Sequence, residues 1–394
     1  MPRVLRIINR FNLGGITYNV TYLTKYMAPE YETMLIGGPN EESEESSLFI
    51  PQKLGLNPIV IPEMRRSVNP VNDLKAYRKI KQIIREFKPD IVHTHASKAG
   101  ALGRRAAYKC GVPVIVHTFH GHVFHSYFGK TKTALVKKIE RSLAKKSDAI
   151  IAISEKQKLE LTAEHQICPP EKVHVIPLGF DLDRFRTDQE IKRRNFRSAY
   201  AIADDEIAIV IIGRIVPVKN HEMFLRVIHR LLETTSKKVR AFIVGDGESR
   251  YDLEMKAREM GFDVATEKMT VKKPLTFTSW IRDVDRVLAG SDIVCLTSWN
   301  EGTPVSIIEA QAANKPVIST KVGGVENIVR DGESAFLVEP GDEEGFLNRL
   351  AALVDNEDLR KKMGLPGWET VGSKYHYTRL VKDMSSLYRT LLRK

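Results

Sequence analysis

Two glutamates, Glu301 and Glu309, stand with seven residues between them in Ser298-Trp299-Asn300-Glu301-Gly302-Thr303-Pro304-Val305-Ser306-Ile307-Ile308-Glu309-Ala310. Paired carboxylates can serve as the acid and base of a glycoside hydrolase. They can also hold the hydroxyls of a sugar. Upstream, Arg214 and Lys219 lie five residues apart in Gly213-Arg214-Ile215-Val216-Pro217-Val218-Lys219-Asn220, directly after the apolar run 209–212. Cations at the end of a buried strand need an anion. That anion is either a diphosphate, which suits the Arg fork and the Lys point charge, or a set of local carboxylates. A third group is His117-Thr118-Phe119-His120-Gly121-His122-Val123-Phe124-His125, with four histidines in nine residues. It reads as a zinc ligand set, as a loop whose His bonds a substrate hydroxyl, or as packed and exposed rings. His93 and His95, at another strand end, share that ambiguity.

Glycine-rich turns complete the list. Asn12-Leu13-Gly14-Gly15-Ile16 opens a helix whose backbone N–H groups can face a phosphate or a sugar oxygen. It is not G-x-G-x-x-G, and no acidic residue closes a dinucleotide fingerprint, which argues against a nicotinamide dehydrogenase. Gly245-Asp246-Gly247-Glu248 reads as a tight turn that lets a ligand approach the backbone.

These groups need elements to position them. Asp292-Ile293-Val294-Cys295-Leu296 reads as a buried strand, Thr303 as an N-cap and Pro304 as the first residue of a helix running to about Asn314. One carboxylate then sits at a strand mouth and the other inside the next helix, where open α/β sheets bind ligands. β-branched runs at 4–8, 33–36, 58–61, 91–94, 114–118, 149–153 and 173–176 alternate with amphipathic stretches. A second series follows at 208–212, 240–244, 275–278, 293–296, 316–319 and 335–338. The alternation predicts two doubly wound α/β domains with parallel sheets, residues 1–182 and 183–373. Leu380, Val381, Met384, Leu387, Tyr388, Leu391 and Leu392 recur at helical spacing and predict a terminal helix over about 374–394.

The chain has 394 residues, too many for one core. No apolar run approaches the ~18–20 residues of a membrane span. The N-terminus is too short and too charged for a secretory signal. Cys110, Cys168 and Cys295 share no ligand spacing, so a cytoplasmic location with free thiols is expected. The net charge is +12, with 27 Lys and Arg against 16 Asp and Glu in residues 1–180, and 34 against 33 in the remainder. The first half therefore expects an acidic partner: a phosphorylated substrate, an anionic membrane surface or nucleic acid. No nucleic-acid module accompanies the charge, so a nucleic-acid-binding protein is the weaker reading.

The run Ser291-Asp292, Glu301-Gly302-Thr303-Pro304, Glu309-Ala310-Gln311-Ala312, Lys315-Pro316-Val317-Ile318, Gly323-Gly324 and Glu326 resembles the signature of retaining glycosyltransferases of family 4. The glycine turns, the Thr118–Gly121 loop and the Gly213–Asn220 loop extend the resemblance over most of the chain. It implies a GT-B fold, two Rossmann-like domains facing across a cleft, with the C-terminal helix crossing back to the first domain. It implies a nucleotide-sugar donor, UDP-linked for choice, and no metal or other cofactor. In that family Arg214 and Lys219 would clamp the diphosphate, and Glu309 would bond the ribose hydroxyls. Glu301, with the backbone N–H groups of Gly302, Thr303 and Val305 around Pro304, would hold the sugar. Gly15 would approach the diphosphate, His120 would lie beside the transferred sugar, and residues 277–280, ending in Trp280, would flank the base. Ser279 and Asn314 stand where the family often has glycine. A GT-B phosphorylase and a nucleotide-sugar epimerase are the alternative readings; no pyridoxal-type lysine pocket supports the former.

The acceptor is expected on the first domain, as a glycan or a lipid-linked sugar. Residues 124–146 join Phe124, Tyr127 and Phe128 to Lys130, Lys132, Lys137, Lys138, Arg141, Lys145 and Lys146, with Leu135, Val136, Ile139 and Leu143 as an apolar stripe. Such a helix can lie on an anionic membrane, which would make the enzyme peripheral on the inner face. It can equally be a solvated surface helix.

Overall fold

The computed structural model describes residues 1–41, 44–121, 130–266 and 272–393. They divide into two compact units, Met1–Phe180 with Tyr375–Lys394, and Asp181–Lys374. The first unit holds β1 (Arg3–Arg10), β2 (Glu32–Gly38), β3 (Ile59–Val60), β4 (Ile91–His95), β5 (Val114–Phe119), β6 (Ala149–Ala152) and β7 (Val173–Val175). They form one seven-stranded parallel sheet in the order β3-β2-β1-β4-β5-β6-β7. The strands are nearly continuous in apolar residues because both faces are covered. Alternate residues of β1 serve opposite faces. Leu5 and Ile7 pack with Ile80, Ile83 and Ile84 of the helix Pro70–Phe87, whereas Val4 packs with Leu380, Met384, Leu387, Tyr388 and Leu391 of the terminal helix Tyr377–Leu392. The returning helix is thus part of the first unit's core.

The second unit holds β8 (Glu206–Ile212), β9 (Lys238–Val244), β10 (Val264–Thr266), β11 (Leu275–Phe277), β12 (Ile293–Leu296), β13 (Val317–Thr320) and β14 (Ala335–Val338). Their order is β10-β11-β9-β8-β12-β13-β14, again all parallel. β10 is the one strand absent from the sequence-predicted series.

Both sheets reverse their winding once. In the first unit the chain leaves β1 toward β2 and leaves β4 toward β5; in the second it leaves β8 toward β9 and β12 toward β13. Loops after such neighbouring strands part and leave a crevice. Among the described residues, no helix is long and apolar enough to cross a membrane.

Candidate active site

In the second unit the loops after β8 and β12 flank the switch point and are laced together. Trp299 N donates to Val218 O at 2.8 Å, and Thr297 Oγ1 donates to Asn220 O at 2.9 Å. Asn220 is left-handed, with φ 49°, and lets the chain turn from Pro217–Lys219 into the helix His221–Thr234. Lys219 Nζ then reaches Glu301 Oε1 at 2.6 Å. Ser298 Oγ donates to the same oxygen at 2.6 Å, and Thr320 Oγ1 fixes Ser298 through its carbonyl at 2.7 Å. The Glu301 side chain is only 9% exposed, so its partners set its geometry.

Glycines hold the loops close. At Gly323, where φ is +54°, an added Cβ would lie 1.6 Å from Glu301 O, and at Gly324 it would lie 2.2 Å from Gly302 O. Gly245 and Gly247 make room in the same way, 2.0 Å from Gly213 O and 2.2 Å from Ile215 O. Their absent side chains admit the neighbouring loop rather than the expected ligand.

Local structure corrects the expected helix start. The helix is Val305–Ala312, and Pro304 precedes it in extended conformation as the cap. Its carbonyl accepts from Ile307 N and Ile308 N at 3.2 and 3.3 Å, and no side chain, that of Thr303 included, caps the end. Proline's fixed φ suits either place, but its ψ of 109° puts it outside the helix. The first-turn N–H groups of Val305 and Ser306 have no acceptor within the helix and carry its positive dipole end. At the other end Asn314 is left-handed at φ 53°, the conformation glycine would supply. Ser279 likewise holds φ 57°, and its Oγ donates to Asp246 Oδ2 at 2.7 Å. Trp280 follows it, half-buried beyond β11.

Glu309 lies within the helix, with Arg184 Nη2 3.6 Å from its carboxylate. Burial pushes its pKa up to about 7; Arg184 opposes the rise and Asp285 adds to it. Arg214 Nη2 pairs with Glu248 Oε2 at 2.8 Å, and both side chains are solvent-accessible. Both cations of the sequence motif therefore meet carboxylates, the second of the two anion sources expected. Lys219 pairs inside the site and Arg214 at its surface.

The first unit carries a buried histidine cluster. His120 Nε2 is 2.9 Å from His95 Nδ1, and the His95 ring lies 4.1 Å from that of His93. His93 bonds Tyr388 Oη at 2.6 Å and Thr118 Oγ1 at 2.7 Å, tying the cluster to the terminal helix. His117 turns to the other face and meets Thr94 Oγ1 at 2.8 Å. Burial lowers all four, His120 to about 4, and the Arg6 charge further lowers His93 and His95. They are neutral at pH 7. No group of three metal-binding side chains occurs among the described residues. His122 and His125 lie outside those residues, as do Phe124, Tyr127 and Phe128. Nearby, Gly15 begins the helix Gly15–Tyr26 behind the extended Gly14, and Leu13 N donates to Glu45 O at 2.9 Å.

The basic stretch 124–146 is described from Lys130 onward. Its helix spans Lys130–Lys145, and part of its apolar stripe turns inward. Leu143 and Ala144 are buried, and Val136 packs against the cluster of Phe119, Ala144 and Ile150. Arg141 donates to the carbonyls of His165 and Gln166. Of the stripe, Leu135 faces water. Val136 and Ala144 thus cover β5 and β6, while Leu135, Lys138 and Lys145 lie on the outward side.

Sequence reasoning missed Ser298 and Thr320 as supports of Glu301, and Arg184 and Asp285 as neighbours of Glu309. Ser298 had a local signal, a hydroxyl three residues before the carboxylate across one turn. The others meet only through the fold.

Comparison with known proteins fits this geometry. Residues 13–184 match the model of glycosyltransferase family 4, and residues 192–367 that of glycosyl transferases group 1. The chain is 32% identical over 301 residues to the UDP-Gal:alpha-D-GlcNAc-diphosphoundecaprenol alpha-1,3-galactosyltransferase of Escherichia coli, a match covering 76% of this chain and 75% of that one. It is 25% identical over 339 residues to the capsular polysaccharide biosynthesis glycosyltransferase CapM of Staphylococcus aureus, covering 85% of each. Among solved structures, HepE of Anabaena in complex with UDP and glucose superposes with a TM-score of 0.81 at 17% identity, over 99% of this chain and 100% of that one. The shared architecture is GT-B, and the chain belongs to the group 1 glycosyltransferases of family 4.

Proposed function

We propose that this glycosyltransferase takes its sugar from a UDP-sugar, retains the anomeric configuration and needs no metal. The observation that carries the reading is the Lys219–Glu301–Ser298 constellation at the switch point between β8 and β12, beside the first turn of Val305–Ala312. When the bond from the anomeric carbon to the diphosphate breaks, negative charge grows on the leaving oxygen. On this reading Lys219, Arg214 and the helix dipole meet that charge without a metal, and one such donor contributes about 3 kcal/mol. Glu301 accepts from sugar hydroxyls, with Gly302, Thr303 and Val305 donating N–H groups beside it. Glu309 accepts from the ribose. The second unit is then the donor domain, with Trp280 beside the base. The first is the acceptor domain, to which Gly15 and the neutral His120 belong. A UDP donor and a lipid-linked acceptor are supported by the Escherichia coli relative, whose name specifies both. The enzyme is then cytoplasmic and peripheral on the inner membrane face.

Lys219→Ala and Glu301→Ala are each expected to lower kcat by about 10²–10³ with unchanged folding. Chelator leaves the rate unchanged, and the product's anomeric coupling by NMR matches the donor's. A thermal-shift panel of UDP-, GDP- and ADP-sugars identifies the donor. Near-wild-type rates in both variants would sink the site assignment.

A further inference from the structure

One surface of the first unit has no part in the site described. Val68, Val71 and Leu74 are 86%, 63% and 48% exposed, three large apolar side chains within seven residues. Single surface hydrophobes are ordinary, but a cluster is not. Cations surround this one: Arg65 and Arg66 precede it, and Lys75, Arg78 and Lys79 follow, all exposed or half-buried. Val71, Leu74, Lys75 and Arg78 share one face of the helix Pro70–Phe87, while Ala76, Ile80, Ile83 and Ile84 serve the core.

The segment is held in place. Lys98 Nζ donates to Arg65 O at 2.8 Å and to Ser67 O at 2.5 Å, and pairs with Asp73 at 2.5 Å. Asn69 caps the helix by accepting from Val71 N and Asn72 N. Met64, wholly buried, anchors the other end. Lys98 thereby neutralises Asp73, the acid within the patch. Glu41, which accepts from Arg66 N at 2.9 Å, and Glu63 are the carboxylates alongside, and the five cations outnumber them.

The location matters as well. All strands of this sheet are parallel, so the segment after β3 emerges at the same edge as His95, His120 and the Gly14–Gly15 turn. Lys98 itself lies three residues beyond His95.

We propose that residues 65–78 dock on an anionic bilayer. Val68, Val71 and Leu74 enter the headgroup region, and Arg65, Arg66, Lys75 and Arg78 meet lipid phosphates. A preformed apolar tip with a cationic rim matches such a surface in both polarity and charge. This rests on the reading that the acceptor is lipid-linked, and it sets the sheet edge that carries His120 toward the membrane bearing that acceptor.

The test is co-sedimentation of the full chain with phosphatidylcholine vesicles, with and without phosphatidylglycerol, at low and high salt. Two variants accompany the wild type: Val68→Asp, Val71→Asp and Leu74→Asp together, and Arg65→Glu with Arg66→Glu. A third, Lys137→Glu with Lys138→Glu, probes the helix Lys130–Lys145. The wild type is expected to sediment with anionic vesicles alone and to be released by salt. The two patch variants should bind about tenfold or more weakly. The helix variant should bind as the wild type does, and all should keep the wild-type melting temperature and its shift by UDP-sugar. Wild-type sedimentation of the patch variants, or none by the wild type, overturns the proposal. Absence of any UDP-sugar shift overturns the donor reading instead, and the vesicle result still decides this surface.

Discussion

Glu309 shows how one residue can carry two demands. Its carboxyl sits in a packed helix, and burial raises its pKa to about 7 although Arg184 is near. A raised carboxyl pKa means that the folded state resists losing that proton. The unfolded chain releases it near the ordinary value of about 4.3, so stability falls as pH rises from there through 7. A tenfold change in proton affinity is worth about 1.4 kcal/mol, which sets the cost at about 4 kcal/mol by pH 8. Glu309→Gln removes the charge and keeps the shape. It should raise the melting temperature of the second unit at pH 8 by several degrees and leave it nearly unchanged at pH 5. Donor affinity should fall at pH 8, because the amide offers ribose hydroxyls one acceptor oxygen fewer than the carboxylate, and change less at pH 5, where the carboxyl is itself neutral. Equal melting shifts at the two pH values would show that Glu309 is ionised throughout. The sequence disclosed Glu309 as a site residue by its spacing from Glu301. It could not disclose the titration, because Arg184 and Asp285 come from distant parts of the chain.

At the scale of the element, the loop that carries Glu301 is shaped from behind. Gly323 and Gly324 follow β13 and lie against the backbone of Glu301 and Gly302. Gly323→Ala would place a methyl 1.6 Å from Glu301 O at a φ of +54°, so one of the two loops must move. The variant should lose activity about 10²-fold or more, with a melting loss in the second unit. Gly332→Ala has an equally left-handed φ of +75° but nothing within 4 Å, and serves as the control for backbone strain alone. A Gly323→Ala enzyme no worse than that control would mean that the loop is not held this way. The glycines were legible as part of a motif, but their contacts were not, because β12 and β13 must first pair. Other elements show the same limit. The parallel strands were readable from apolar runs between amphipathic stretches. β10 escaped because Val264-Ala265-Thr266 offers one large apolar residue between Asp263 and Glu267, with no apolar run to register, whereas the equally short β11 holds Leu275 and Phe277. The stripe in Lys130–Lys145 was readable as helical, but whether it faces lipid or its own sheet depends on what else covers β5 and β6.

The whole molecule is closed by a helix that returns to where the chain began. Tyr377–Leu392 follows the second unit in sequence yet packs in the first. Leu380, Met384, Leu387, Tyr388 and Leu391 are buried against Val4, Leu23, Met27, Ile91, Val116 and Ile151. Burying each such side chain contributes roughly 1.5–3 kcal/mol. Five of them approach the whole stability of a domain, about 5–15 kcal/mol. Tyr388 also supplies one of the two partners of His93, so without it the buried imidazole keeps Thr118 and loses its other hydrogen bond. The helical spacing of these residues was plain in the sequence, whereas their destination came from family resemblance alone. Removing residues 375–394 should therefore unfold the first unit and spare the second. In calorimetry the shortened chain should keep one cooperative transition, still raised by UDP-sugar, and lose the other. Glycosyl transfer should vanish while donor binding remains. Leu387→Ala should show a milder form, a drop of about 2–4 kcal/mol in the first unit's stability. Two transitions surviving the deletion would mean that the first sheet is stable with that face bare, and that the returning helix is not part of its core.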